Sequence, residues 1–145
     1  MKEVNKFSLR IPSRSNNEGF ARTAVAAFAA QLDPTVEEIS DIKTAVSEAV
    51  TNCIVHGYKN TIGNIYINCE ILSDGSLKIR IRDRGCGIEN IKQAMEPLFT
   101  TAGGERAGLG FAVMESFTDS LKVRSTIGKG TTVTMVKRLN IKEDE

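Results

Sequence analysis

Apolar residues in this chain recur with two periods, and each switch between them marks a new element. Phe7, Leu9 and Ile11 alternate with Ser8 and Arg10, which predicts a short strand stopped by Pro12. From Glu18 to Leu32 the apolar positions Phe20, Ala24, Val25, Phe28 and Leu32 follow helical spacing, with Ser15, Asn16 or Asn17 placed to cap the start. Asp33-Pro34 breaks this helix, and Thr35-Val36-Glu37-Glu38 has the form of a capping box that opens a second one. There Ile39, Ile42, Val46, Ala49, Val50 and Cys53 share one face, and the helix ends near Gly57. Period two then returns in Ile65, Ile67, Cys69 and Ile71, passes a hairpin at Ser73-Asp74-Gly75-Ser76, and continues from Leu77 to Asp83. Glu89 to Met95 reads as a short helix, Leu98 to Gly108 as a loop, and Leu109 to Phe117 as another helix. Strands near Leu121–Ser125 and Thr131–Val136 complete the chain. Early and central helices with hairpin-linked strands predict an α+β, two-layer α/β sandwich: a mixed, mostly antiparallel sheet with helices on one face.

Composition narrows the function classes. With 145 residues, 41% hydrophobic and 26% charged, the chain reads as one globular domain, 1–145. Nineteen basic and 18 acidic residues give a net charge of +1, which argues against a general nucleic-acid binder. The longest apolar runs fall short of a membrane span and the first residues lack a signal-peptide core, so the expectation is a cytoplasmic protein away from membranes. Cys53, Cys69 and Cys86 form no C-x-x-C pair and there is a single histidine, so neither a disulfide framework nor a zinc site is expected.

Several polar residues sit where an apolar pattern has no need of them. Glu48, Asn52 and His56 step by four along the second helix and border its apolar face, since four residues advance the direction by only about 40°. A polar atom buried there without a partner costs roughly 1–3 kcal/mol, so a polar ligand is expected against it. Asn52 can offer oxygen to magnesium, and Glu48 can take a proton from an attacking hydroxyl, although either residue taken alone is more often a solvated helix position. Asp83 keeps step with Leu77, Ile79 and Ile81, which turns its carboxylate toward the core side of the strand. It either caps a turn or, with Gly85 and Gly87 bringing backbone close to a flat ligand, accepts a hydrogen bond from an exocyclic amine such as adenine's. Gly108-Leu109-Gly110 precedes a predicted helix, whose unpaired N–H groups suit phosphate, or it is simply a tight helix entry. Neither a P-loop nor a Rossmann fingerprint is present.

Taken in order, E-x-x-x-N at Glu48 and Asn52, D-x-G-x-G at Asp83 to Gly87, G-x-G at Gly108 to Gly110 and G-T at Gly130-Thr131 resemble the four nucleotide boxes of gyrase, Hsp90, histidine kinases and MutL. Within this GHKL superfamily, S-E-A-V-T-N-C-I-V-H-G-Y and P-L-F-T-T are similar to the small anti-sigma factor kinases. The resemblance implies a Bergerat-type site for ATP or ADP with Mg2+ on Asn52. It implies adenine on Asp83, the base or ribose region at Gly87 and phosphates on Gly108 and Gly110, with Gly85, Leu109 and Phe111 also among the nucleotide-binding residues. Thr131 would close the adenine end, residues 98–108 would form a lid, and Thr100 or Thr101 would reach the nucleotide. Ala107 stands where relatives often carry serine, so only a backbone contact is expected there. Glu48 would be the general base of a protein serine kinase. The implied partners are a sporulation sigma factor of the F type, an anti-anti-sigma factor carrying the acceptor serine, and a second copy in a homodimer. The alternatives are an ATP-gated sigma-binding module without transfer and a histidine kinase-like catalytic domain.

Overall fold

In the computed structural model, residues 2–95 and 104–139 are described. The order is β1 (Glu3–Pro12), α1 (Asn17–Ala29) with a 3-10 turn at Ala30–Leu32, and α2 (Val36–Asn52) extended by a π-helical turn at Cys53–Gly57. It continues through β2 (Asn64–Leu72), β3 (Ser76–Asp83), α3 (Ile91–Ala94), α4 (Gly104–Phe117), β4 (Ser120–Thr126) and β5 (Gly130–Arg138). The five strands form one sheet in the order β1-β2-β3-β5-β4, every pair antiparallel. The predicted α+β sandwich is therefore present, with a sheet that is wholly antiparallel among the described residues rather than mixed.

Strand register turns the period-two pattern into rows that cross the sheet. Phe7, Cys69, Ile79, Met135 and Leu121 make one row, and Leu9, Ile67, Ile81, Val133 and Val123 the next. Both rows face the helices, and their central members are 4% exposed or less. At about 1.5–3 kcal/mol for each large aliphatic side chain, these rows dominate the stability of the layer. Helix α2 is the central one: it packs on α1 at one side and on α4 at the other, with Ile42, Ala45, Val46, Ala49 and Val50 buried. Its start is local chemistry, because Thr35 Oγ1 accepts from Glu38 N at 3.1 Å and Glu38 Oε1 accepts from Thr35 N at 2.8 Å.

Two expectations need correction. No side chain caps α1: Asn16 holds the cap position without a cap bond, and Asn17 instead donates its amide to the Pro12 carbonyl at 3.0 Å. That bond ties the helix entry to the end of β1. Helix α4 begins at Gly104, not at Leu109, so Gly108, Leu109 and Gly110 occupy its second turn. N–H groups there bond back along the helix, and the donors left unpaired at its start belong to earlier residues. Packing decides this, because Phe111 and Met114 are buried and their burial against α2 outweighs the low helix propensity of glycine. No helix among the described residues is long and apolar enough to cross a membrane.

Candidate functional site

Beyond the two apolar rows, the next row on the same face is polar. Asp83, Thr131 and Ser125 lie side by side across β3, β5 and β4. Thr131 Oγ1 and Ser125 Oγ are 2.8 Å apart, and Ser125 Oγ accepts from Ile88 N at 2.7 Å while donating to the Gly130 carbonyl at 3.0 Å. Asp83 and Thr131 of this row, with Ile81 and Val133 of the row before, form the sheet wall of a cleft with about 430 Å³ of empty space, part of it open to solvent. Ala49, Ile81, Ile88, Phe111 and Val133 make its walls apolar, and Asn52, Cys53, His56, Gly57, Asp83, Gly87 and Thr131 complete the lining. Apolar walls with a few convergent polar groups are the usual form of a small-molecule site.

Asp83 is 5% exposed, as its place in the alternation predicts. Its Oδ1 accepts from Gly85 N at 2.9 Å, and the buried Cys53 thiol donates to the same carboxylate. Burial pushes the Asp83 pKa above its ordinary 3.8, and the Gly85, Cys53 and Thr131 hydrogen bonds oppose that rise. Cys53 is shifted upward as well, by burial first and then by the Asp83 charge, so its thiol stays protonated and remains a donor. The ionised carboxylate only accepts hydrogen bonds, so a ligand at this end of the cleft must present a donor.

An Asp whose folded pKa is raised binds its proton more tightly in the native state. Its contribution to stability therefore grows as pH falls from neutral through the raised value toward 3.8. Asp83→Asn removes this dependence and the neutral-pH cost of the buried charge. Thermal melts across that range are expected to show a flatter pH profile and a midpoint at neutral pH no lower than that of the parent. A lower midpoint with an unchanged pH profile would contradict the assignment.

Asn52, 9% exposed, lines the same cleft. Neither Oδ1 nor Nδ2 has a hydrogen-bond partner, which makes this amide the strongest sign of a ligand among the described residues. An orphaned carbonyl oxygen is the hard donor that magnesium takes. The described residues hold no cluster of three or more His, Cys, Asp or Glu that could cage a metal by themselves. The donor set thus fits a magnesium ion held mainly by phosphate oxygens and water, with Asn52 as protein ligand.

Glu48 stands one turn before Asn52, at the edge of the cleft and outside its lining. Gly110 brings α4 against both: a Cβ built there would lie 3.0 Å from Asn52 Oδ1 and 3.2 Å from Glu48 Oε2. Only a glycine lets the α4 backbone reach this pair without displacing the amide. Beside Glu48, the Ser47 hydroxyl donates to Glu18 Oε2 at 2.8 Å, and Arg22 donates to the same oxygen at 2.5 Å.

The structure gathers some of the sequence candidates and not others. Asn52, Asp83, Gly87, Phe111 and Thr131 line the cleft, and Gly110 joins Asn52 to Glu48. Gly85 serves the fold instead: its backbone packs on Gly57, and Cys86 N donates to the Gly57 carbonyl at 2.9 Å. Leu109 is 51% exposed and takes no part in the lining. Thr100 and Thr101 lie outside the described residues, as does the 98–103 part of the expected lid, while 104–108 belongs to α4, which includes Ala107 and Gly108. Cys53 and Gly57 line the cleft without having been singled out as ligand neighbours. The spacing places Cys53 on the core face of the second helix, and its contact with Asp83, 30 positions later, has no local signature.

Comparison with known proteins matches residues 11–137 to the model of the histidine kinase-like ATPase domain. The chain is 60% identical over 138 residues to the anti-sigma F factor of a Thermoanaerobacter species, covering 94% of this chain and 96% of that one. It is 54% identical over 141 residues to the anti-sigma F factor of Clostridium acetobutylicum, covering 97% and 98%. Among solved structures, the fold is similar to the RsbU and RsbW domains of Rv1364c from Mycobacterium tuberculosis, with a TM-score of 0.68 at 22% identity over 94% of this chain and 33% of that one. It is also similar to the histidine kinase domain of a blue-light activated kinase from Erythrobacter litoralis, with a TM-score of 0.57 at 20% identity over 84% and 61%. The family match over residues 11–137 and near full-length identity of this size agree: the chain belongs to the anti-sigma F factors, within the histidine kinase-like ATPase family.

Proposed function

We propose that this protein binds MgATP in the cleft between Asn52 and Asp83, phosphorylates a serine of an anti-anti-sigma factor, and holds a sigma factor of the F type. The observation that carries the nucleotide reading is that an orphaned, buried amide and a buried acceptor line one apolar cleft. The distribution suits a purine against Ile81, Ile88, Phe111 and Val133 with its amine on Asp83, and a charged triphosphate passing Asn52. Magnesium on Asn52 would neutralise phosphate charge as transfer proceeds.

Glu48 then has the geometry of a base, since it neighbours the amide that would anchor the phosphates. In this reading the acceptor serine Oγ attacks the γ-phosphorus and its proton passes to the Glu48 carboxylate. The bond from the γ-phosphorus to the β-bridging oxygen breaks, and ADP leaves with the electron pair. Thr131 would hold the adenine end through the hydroxyl it shares with Ser125. Phosphate contacts by the backbone of Gly108 and Gly110 require the first turns of α4 to rearrange, because their N–H groups are helical here. A cytoplasmic homodimer is part of this reading.

The test is to incubate the protein with magnesium, γ-labelled ATP and an extract of its source cells. Acid-stable label on a small second protein is expected, and acid-labile label would indicate histidine chemistry instead. ATP binding with no transferred label leaves a nucleotide-gated sigma binder, and no ATP binding rejects the cleft. Asp83→Asn is expected to lose ATP affinity in calorimetry, because the acceptor pair becomes a mixed amide.

A further inference from the structure

At one end of the sheet face turned away from the helices, cations gather without ion-pair partners among the described residues. One row across it reads Arg10, Tyr66, Arg82, Thr132, Arg124 in strict register over β1, β2, β3, β5 and β4. Arg82 and Arg124 thus flank a single threonine, at about two strand spacings or roughly 10 Å. Arg84 and Lys129 join them, and Arg82, Arg84, Arg124 and Lys129 line one cleft with Thr126 and Thr132, while Asp83, Ser125 and Thr131 of the helix-facing row border it from behind. Ion pairs among the described residues are Lys6–Glu3, Arg22–Glu18 and Lys137–Asp41, so none of these four cations has a carboxylate partner there. The one acid lining the cleft, Asp83, belongs to the opposite face, where its carboxylate is engaged by Gly85 and Cys53.

Two features show that the cations are organised rather than merely crowded. The guanidiniums of Arg82 and Arg84 both stack on the Tyr66 ring, each with Cζ 4.9 Å from its centroid. Stacking restrains their planes and leaves their N–H edges for an acceptor. In addition, Arg82 Nε is buried with no hydrogen-bond partner, although a buried charged donor without an acceptor is costly. Like charges held close across strands repel one another, so this end of the sheet is poised to gain from a bound anion.

We infer that Arg82, Arg84, Arg124 and Lys129 form a second anion site, on the face of the sheet opposite the nucleotide cleft, for a phosphate monoester dianion. Planar guanidiniums meet phosphate oxygens in pairs, and Thr132 or Thr126 can add a hydroxyl bond. The group can come as free phosphate or as a phosphorylated side chain of a protein. A base-stacking ligand is disfavoured, because the one aromatic ring in this row, Tyr66, is already covered by the two arginines.

Amide NMR of the labelled full chain tests this. Inorganic phosphate or a phosphoserine peptide is titrated at constant pH, against sodium chloride of matched ionic strength. Saturable shifts at the amides of Thr126, Lys129 and Thr132 are expected. Saturation by both anions assigns the site to free phosphate chemistry, and saturation by the peptide alone assigns it to a modified protein segment. An R124T/K129T variant, both residues being exposed, is expected to keep the rest of the spectrum and to bind about tenfold more weakly or worse. Three outcomes would overturn the site: a linear drift equal to that with chloride, shifts confined to Asn52 and Gly110, or undiminished binding by R124T/K129T.

Discussion

Glu48→Gln is expected to slow phosphotransfer by about 10²–10⁴-fold while leaving ATP affinity within a factor of two or so. Glutamine has the same shape and keeps the approach of Gly110, where even a Cβ would come within 3.2 Å of Glu48 Oε2. It cannot accept the serine proton. The effect therefore isolates the chemical step, unlike Glu48→Ala, which would also open space beside Asn52. Position is well defined here, because α2 is held to α1 through the Ser47–Glu18–Arg22 contacts immediately beside Glu48. Single-turnover transfer at saturating MgATP gives the rate, and calorimetry gives the affinity. A rate close to that of the parent would remove Glu48 from the base role. A parallel loss of affinity would make it a ligand of the nucleotide instead.

The second large effect is structural. Gly85→Ala would place a Cβ 2.0 Å from the Gly57 carbonyl oxygen and 2.4 Å from its carbon, far inside contact distance. Both neighbours are backbone, so no side chain can swing aside. The exit of β3 would have to separate from the end of the π-helical turn, losing the Cys86 N to Gly57 O bond of 2.9 Å. The neighbouring Arg84 N to Tyr58 hydroxyl bond of 2.7 Å would be strained with it. Overpacking of this kind, added to a lost hydrogen bond, is expected to cost about 3 kcal/mol or more. Urea unfolding should show the midpoint fall by that equivalent, and a change below about 1 kcal/mol would show that the two backbones are not locked. Asp83 is two residues away and receives the Gly85 N–H at 2.9 Å, so nucleotide affinity is expected to fall even in molecules that remain folded. Stability and affinity respond together here, whereas Glu48→Gln separates activity from both.

These two variants also mark where reading residues in order succeeds and where it stops. Glu48, Asn52 and Asp83 were legible as polar intrusions on apolar faces, because helical and strand periods fix direction without knowledge of the partner layer. The capping box at Thr35 and Glu38 was legible for a similar reason: its bonds span three residues. Gly85 was read as making room for a ligand, yet the space it leaves is filled by Gly57, a residue 28 positions earlier that only the folded chain brings near. Gly108 and Gly110 were read as a helix entry, yet α4 starts at Gly104, because burial of Phe111 and Met114 against α2 carries the helix through its glycines. The phosphate site on the far face was invisible in the even balance of charge along the chain, since Arg82 and Arg124 become neighbours of Thr132 only through the strand order β3-β5-β4. The sequence by itself determined the elements, their faces and the polar residues that intrude on them, since each rests on spacing within a few residues. Tertiary structure decided which of those residues share a cleft and which glycines are pressed by backbone. It also decided which charges lack partners, because these depend on layers and strands far apart along the chain.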